Sequence, residues 1–541
     1  MTCSASLSRA FLFLTALVAV GLVAEPGSAC TNILVTRRAS FDGSVIITYN
    51  NDGAGIGDGL TIVPAADHPS GAMIDLGAKG KIPQVPHTYR TVGLMNEHQL
   101  AIAESTFGGR PELLNPQGKL RYEMLMRLGL QRARTAREAL HVMTQLVAEH
   151  GYGDTGESIS IADPQEIWLL EIVGTGPGGQ GAAWVAVRIP DGHVSCHANG
   201  ARIGEFPRND PVNCLYSANI ESLAISKGWY DPNAGQPFCF HEVYCPRNNV
   251  TRRTSDTRVW SILRRAAPSQ DLPPDYHRSK PGANPYPLSI APDAKLSVAD
   301  VFALMRDHYE GTEYDMTQGV DAGPFGSPNR SFPLVWQAAG KSYCWERPIS
   351  TSTSYYSMIM QSRGWLPDPV GGIVWHGVDD SYTCCYLPFY LGATTLPDCL
   401  TNCRSMDFSW DSAVWVFNFV ANYANLKYSL MIREIQVAQK EVESRVFTLQ
   451  PAVEKTAVEL AKSNPRLMHR YLTDYCVSNA NRTVARWQAL AKHLIAKYND
   501  GYLRDANGRV HKSGYSQAWL EEVLRARPET FRADDIRQPV E

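Results

Sequence analysis

The chain has 541 residues and sets 51 lysines and arginines against 54 aspartates and glutamates, for a formal net charge of -3. With that balance and no long basic run, nothing points to nucleic acid or an anionic membrane surface as a partner. The length exceeds what one hydrophobic core ordinarily serves, so a large domain with an elaboration is expected.

At the start of the chain, Arg9 is the only charge before an apolar run from Ala10 to Ala24, which is followed by Glu25, Pro26, Gly27, Ser28 and Ala29. This pattern reads as a secretory leader covering residues 1–29, and it predicts an exported protein, secreted, periplasmic or lumenal. A membrane span needs ~20 consecutive apolar residues. The leader run is shorter, as is Val414 to Val420, so no membrane span is expected. Gly27 and Ala29 suit cleavage immediately before Cys30, which would become the first residue of the exported chain. The alternative is a lipoprotein leader, where an N-terminal cysteine carries lipid instead of chemistry. Against it, Gly27 occupies a place where such leaders usually have a branched aliphatic residue.

Twelve cysteines occur, and Cys3 would leave with the leader. The remaining odd number leaves at least one thiol unpaired, with Cys30 the natural one, while the others could form up to five bridges of open pairing.

After Cys30, the β-rich runs Thr31 to Thr36 and Ser44 to Tyr49 flank Phe41-Asp42-Gly43, predicting a hairpin with Cys30 at its leading edge. Further strands are expected at Leu100 to Glu104, Ser158 to Ala162, Ile167 to Val173, Ala183 to Ile189 and His193 to His197. A helix is signalled from Thr135, with Thr135 and Glu138 as a capping box and Leu140, Met143, Leu146 and Val147 on one face before Gly151. Ala267 to Pro287 is punctuated by proline and glycine and reads as a long surface excursion. Past Trp410 the pattern turns helical, over Ser412 to Glu441, Val453 to Ala461 and Thr483 to Lys497, with Trp415 and Phe419 read as packing.

A cysteine with a free α-amino group carries nucleophile and base on one residue, because that amine titrates near ~7.7 to 8.0 and can accept the thiol proton. Asp52, just past the second strand, can return beside the terminus and fix the amine. Turn statistics alone would make it a turn residue in Asn50-Asn51-Asp52-Gly53.

The stretch CTNILVTRRASFDGSVIITYNNDG resembles the mature start of the PepD-type dipeptidases. These are N-terminal-nucleophile cysteine hydrolases related to secernins and, more distantly, to bile-salt hydrolase and penicillin V acylase. NEHQLAIAESTFGGR, GESISIADPQEIWLLEIVGTGP, AAWVAVRIPDGHVSCHANGARIG, MRDHYEGTEYDMTQGVDAGPFGSPNR and QSRGWLPDPVGGIVW look like family segments in the expected order. The resemblance implies Cys30 as nucleophile, Asp52 as the residue holding the α-amine, and Asn199 in HANGARI as oxyanion donor, a role typically worth about 3 kcal/mol. Thr106 in ESTFGG would be a second polar group at the site. Tyr49 departs from the pattern, since many relatives have a basic residue three places before the aspartate. The implied chemistry is attack of the Cys30 thiolate on a peptide carbonyl, protonation of the leaving amine by the α-ammonium and hydrolysis of an acyl-enzyme, with no metal or organic cofactor.

Other signals weigh less. Gly174-Thr175-Gly176-Pro177-Gly178-Gly179 has dinucleotide-fingerprint spacing, yet a strand follows instead of a helix, so a hairpin loop explains it better. Cys384, Cys385, Cys399 and Cys403 lack the spacing of a standard zinc site. His308, in Arg306-Asp307-His308-Tyr309-Glu310-Gly311, is better read as ordering a loop than as lining a substrate pocket. Nucleophile-elbow and zinc-protease signatures are absent. Asn249, Asn329 and Asn481 begin glycosylation sequons.

The resemblance thus implies an α+β fold, the αββα four-layer sandwich of N-terminal-nucleophile hydrolases, over residues 30–405, with a helical region over 406–541. The expected substrate is a dipeptide or small amide. An amidase for N-acyl amino acids, and a non-catalytic exported lipoprotein or binding protein, stand as alternatives.

Overall fold

The computed structural model describes residues 30–53, 57 and 59–533; the expected leader lies outside them. In chain order the principal strands are β1 (Asn32–Val35), β2 (Val45–Asp52), β3 (Ile62–Val63), β4 (Thr91–Val92), β5 (Met95–Asn96), β6 (Ala101–Thr106), β7 (Gly156–Ala162), β8 (Ile167–Val173), β9 (Ala183–Arg188), β10 (Val194–His197), β11 (Cys214–Tyr216), β12 (Ser289–Ile290), β13 (Ser354–Ser362), β14 (Ile373–Val378) and β15 (Tyr386–Tyr390). They form a seven-stranded sheet in the order β12-β10-β1-β2-β13-β14-β15 and an eight-stranded sheet in the order β11-β9-β8-β7-β6-β5-β4-β3. All pairings in both sheets are antiparallel.

The hairpin expected after Cys30 forms, with Leu34 opposite Ile47 and Val35 opposite Ile46. Its connection is held by Asp42, whose Oδ1 accepts from the Ser44 amide at 3.0 Å and the Ser40 hydroxyl at 2.8 Å. Gly43 follows at φ 80°, a conformation that a Cβ would oppose.

Alternation along the strands sorts side chains into two cores. Ala101, Ala103, Leu169, Val173 and Val185 of the eight-stranded sheet join the core shared with the seven-stranded sheet. Ile102, Ile159, Ile161, Trp168, Leu170 and Ile172 join a second core with two helices, α1 (Tyr122–Arg132) and α2 (Ala136–His150). The eight-stranded sheet is therefore covered on both faces, which explains why β8 is buried along its whole length. The strands read from the sequence in this half all form, within a residue or two at their ends. The glycine run after β8 joins β8 to β9, which pair antiparallel from Val173 opposite Ala183.

The cap of α2 differs from the expected box. Thr135 accepts from the Glu138 amide at 3.2 Å, but the Glu138 carboxylate reaches one residue further back and accepts from the Arg134 amide at 2.8 Å. The box lacks its return bond because that carboxylate satisfies the neighbouring donor instead.

Later helices are α3 (Thr257–Ala266), α4 (Val298–Met305), α5 (Ala413–Ala424), α6 (Tyr428–Ser463) and α7 (Pro465–Tyr498). Phe302 of α4 packs 5.4 Å from Trp375 and 4.4 Å from Tyr386 in the seven-stranded sheet, and 5.9 Å from Phe447 of α6. The outer face of this sheet is thereby covered by helices too. The stretch from Ala267 to Pro287 has neither helix nor strand, but it is not merely a surface excursion. Tyr276, His277 and Tyr286 are buried, and His277 Nδ1 lies 2.8 Å from the Tyr286 hydroxyl.

Candidate active site

Cys30 lies two residues before the start of β1, the third strand from one edge of the seven-stranded sheet, and its side chain is fully buried. Sheet registry alone cannot bring Asn199, Thr106 and Cys30 together, since they come from three distant parts of the chain. Arg258 of α3 does much of it. Its Nη1 donates to the Cys30 carbonyl oxygen at 3.0 Å and to Thr31 Oγ1 at 2.8 Å. Its Nη2 donates to Asn199 Oδ1 at 2.9 Å and to the Ala198 carbonyl at 3.3 Å. Asn199 Nδ2 then donates to the Thr106 carbonyl oxygen at 2.7 Å. Asn199 sits at φ 55°, a left-handed conformation that asparagine tolerates better than most residues. One proton of its amide nitrogen is thus committed to Thr106.

From Thr106 the contacts return to the thiol. Thr106 Oγ1 donates to Glu157 Oε1 at 2.8 Å, and Glu157 lies beside Glu104. Glu104 Oε1 accepts from the Tyr49 hydroxyl at 2.9 Å and lies 3.5 Å from the Cys30 sulfur. Asn32 Nδ2 fastens the two sheets together here through the Glu104 carbonyl oxygen at 2.5 Å. Cys30, Arg258, Asn199, Thr106, Glu157 and Glu104 thus form a closed circuit of contacts.

Asp52, at the end of β2, is buried and ion-paired. Its Oδ2 lies 3.0 Å from Arg347 Nη2 and its Oδ1 accepts from Ser354 Oγ at 2.6 Å. It ends a strand instead of occupying the turn that local statistics favour, because β13 pairs with β2 up to that residue.

Burial dominates the electrostatics. The Cys30 thiol is pushed well above its ordinary range by burial first, then by the charges of Glu104 and Asp52. Burial also raises Asp52, against the pull of Arg347 and Ser354. It raises Glu104 to about 7 and raises Glu157 as well, with the neighbouring Glu104 adding to the effect on Glu157. Two buried carboxyl groups in contact are held together most readily when one keeps its proton.

The circuit contains three residues that sequence reasoning did not single out: Arg258, Glu104 and Glu157. Arg347, which holds Asp52, was also missed. For the glutamates a signal existed, since each is a carboxylate inside a strand otherwise made of apolar and small residues. For the arginines there was none, because Arg258 stands among Arg252, Arg253, Arg264 and Arg265. His308 is paired with Glu310 at 3.1 Å and packs on Tyr382, making no hydrogen bond to the circuit.

The expected framework of up to five disulfides is corrected by the structure. Cys196, Cys214, Cys245, Cys384, Cys385 and Cys476 are buried free thiols. They behave as small apolar side chains, each enclosed by one of the cores. No helix among the described residues is long and apolar enough to cross a membrane.

The family model for peptidase family C69 matches residues 58–441. The chain belongs to peptidase family C69. It is accordingly a peptide-bond hydrolase. The match begins downstream of Cys30 and Asp52 and takes in Glu104, Thr106, Glu157, Asn199, Arg258 and Arg347. Among curated proteins, the chain is 28% identical over 385 residues to a probable dipeptidase of Salmonella dublin, covering 67% of this chain and 81% of that one. It is 26% identical to a probable dipeptidase of Latilactobacillus sakei, over 68% of this chain and 75% of the other. A dipeptidase A of Lactobacillus helveticus is 23% identical over 74% of this chain and 82% of its own.

Proposed function

We propose that this protein is an exported cysteine dipeptidase whose nucleophile is the Cys30 thiol, uncovered as an N-terminal residue by removal of residues 1–29. One observation above the others supports the reading: in a member of a peptidase family, Arg258 bridges the Cys30 backbone and the Asn199 side chain. The names of the relatives supply the substrate class. The facing sheets with helices on their outer sides agree with the αββα sandwich of N-terminal-nucleophile hydrolases, and we assign the chain to that fold.

In the full-length chain the Cys30 nitrogen is a peptide nitrogen attached to Ala29 and cannot act as a base. Cleavage turns it into an amine of pKa near ~8. The buried thiol, held above its ordinary range, does not ionise in advance. It loses its proton to that amine as the sulfur attacks the carbonyl carbon of the dipeptide. The second proton of the Asn199 amide stabilises the oxyanion of the tetrahedral intermediate. The α-ammonium then protonates the departing amine, and a water deprotonated by the same amine releases the acyl group. Asp52, anchored by Arg347 and Ser354, provides the fixed negative charge that keeps the amine oriented. Thr106 positions Asn199 through its carbonyl oxygen.

Intact mass of the purified protein, followed by assays on a dipeptide panel and on N-acyl amino acids, tests the assignment. A mass corresponding to Cys30–Glu541 with dipeptide hydrolysis lost in Cys30→Ala is expected. A lipidated or uncleaved terminus that still hydrolyses dipeptides, or a fully active Cys30→Ala protein, would overturn it.

A further inference from the structure

The proposed mechanism gives no task to the Glu104–Glu157 pair, although Glu104 lies 3.5 Å from the attacking sulfur. Both side chains are fully buried. Glu104 Oε2 and Glu157 Oε2 have no hydrogen-bond donor apart from a proton the pair itself can keep. The remaining oxygens accept from neutral groups, the hydroxyls of Tyr49 and Thr106 and, for Glu104, the Cys30 thiol. With one proton shared, the pair carries a single negative charge in a dry place. No lysine or arginine forms an ion pair with it among the described residues, in contrast to Asp52 with Arg347. A buried charge without a counterion is costly to a folded protein, and this cost is recovered when a cation arrives.

We propose that the Glu104–Glu157 pair binds the α-ammonium group of the substrate's N-terminal residue and so restricts the enzyme to peptides with an unblocked amino terminus. This rests on the reading of Cys30 as nucleophile. In a dipeptide the α-nitrogen is two bonds from the scissile carbonyl carbon, about 2.5 Å away. A sulfur about 3 to 3.5 Å from that carbon and a carboxylate oxygen about 2.8 Å from that nitrogen fit together across the observed 3.5 Å separation. Thr106 and Asn199, both only partly buried, mark the side from which the substrate reaches the pair. An N-acyl amino acid has no positive charge at this position and would leave the pair uncompensated. The same geometry therefore selects dipeptides over N-acyl amino acids.

The test compares alanyl-alanine with N-propionyl-alanine, which differ only in the amino group. The native enzyme is expected to favour alanyl-alanine by at least about a hundredfold in kcat/KM, and Glu104→Gln to shrink that ratio at least tenfold. Glu157→Gln provides a second variant should the first not fold, and the native ratio needs no variant at all. A native ratio near one, or a ratio unchanged in a folded Glu104→Gln protein while both rates fall together, overturns the proposal; the latter places the pair's charge opposite the Cys30 amine instead. Hydrolysis of alanyl-alanine that survives in Cys30→Ala, or cleavage of neither compound by the native protein, overturns the nucleophile reading itself.

Discussion

Arg258 Nη1 lies 3.0 Å from the carbonyl oxygen of Cys30, a residue 228 positions earlier in the chain. Its other terminal nitrogen holds the Asn199 side chain, so one planar guanidinium fixes both the Cys30 backbone and the Asn199 amide. A lysine has a single point of charge and cannot span both. Arg258→Lys is expected to lower kcat on a dipeptide by about 10- to 100-fold, the size of loss that misplacing reacting groups by an ångström produces. Steady-state kinetics with circular dichroism as a check on folding decides this.

Asn199 allows the donor role to be separated from the backbone strain. Alanine at φ 55° would remove the side-chain amide and also strain the chain, whereas glycine removes the side chain, with its acceptor for Arg258, and leaves the backbone unstrained. Asn199→Gly should lose about 10²- to 10³-fold in kcat, with Tm changed by only a few degrees. A loss of stability without a loss of turnover would show that the residue serves the loop only.

The raised Glu104 carboxyl has a consequence for stability that can be measured without substrate. Its folded value of about 7 is above that of an unfolded glutamate, near ~4.3, so the folded state holds on to the proton longer. Stability from this group is fully present below the unfolded value and is lost as pH rises through about 7. Glutamine carries no such dependence. The Tm of Glu104→Gln should therefore gain on that of the native protein between pH 5 and pH 8, with Cys30, Tyr49, Tyr122, Glu123 and Glu157 the neighbours that shape the curve. A constant difference across that range would show that the carboxyl is not perturbed.

Phe302 links a helix to both the seven-stranded sheet and the long α6 helix through Trp375, Tyr386 and Phe447. Phe302→Ala is expected to cost about 3 to 5 kcal/mol, seen as a lower denaturant midpoint. Because the residue lies outside the contact circuit around Cys30, kcat on a dipeptide should change little at a temperature where the variant is folded.

How much of this was legible depended on what each segment had to satisfy. Ile167–Val173 was read to the residue because a strand buried on both faces is an unbroken apolar run. β13, β14 and β15 were not anticipated. Ser354–Ser362 mixes serines and tyrosines with methionines, and β15 contains Pro388, which the strand tolerates because it is the edge of its sheet. At the other end, Pro451 hides the length of α6, which continues through it. Cys30 and Asp52 were singled out from the chemistry of a terminal cysteine and Asn199 and Thr106 from motif resemblance; Cys30, Asn199 and Thr106 are linked through Arg258, while Asp52 is held by Arg347 and Ser354. Arg258, Arg347, Glu104 and Glu157 acquire meaning only from partners far away in the chain, which no local pattern reports.

The same long separations bear on the order in which the chain is made. Cys30 is synthesised 228 residues before Arg258, and Asp52 is synthesised 295 residues before Arg347. A growing chain carrying the thiol therefore lacks Arg258 until nearly half of its length has been translated, and Arg347 until well over half. Chain-order folding, in which early segments organise first, leaves this region for the end. A product ending before Arg258 would carry the thiol without either guanidinium group, and one ending before Arg347 would lack the partner of Asp52, so the surroundings of Cys30 are complete only once Arg347 has been made.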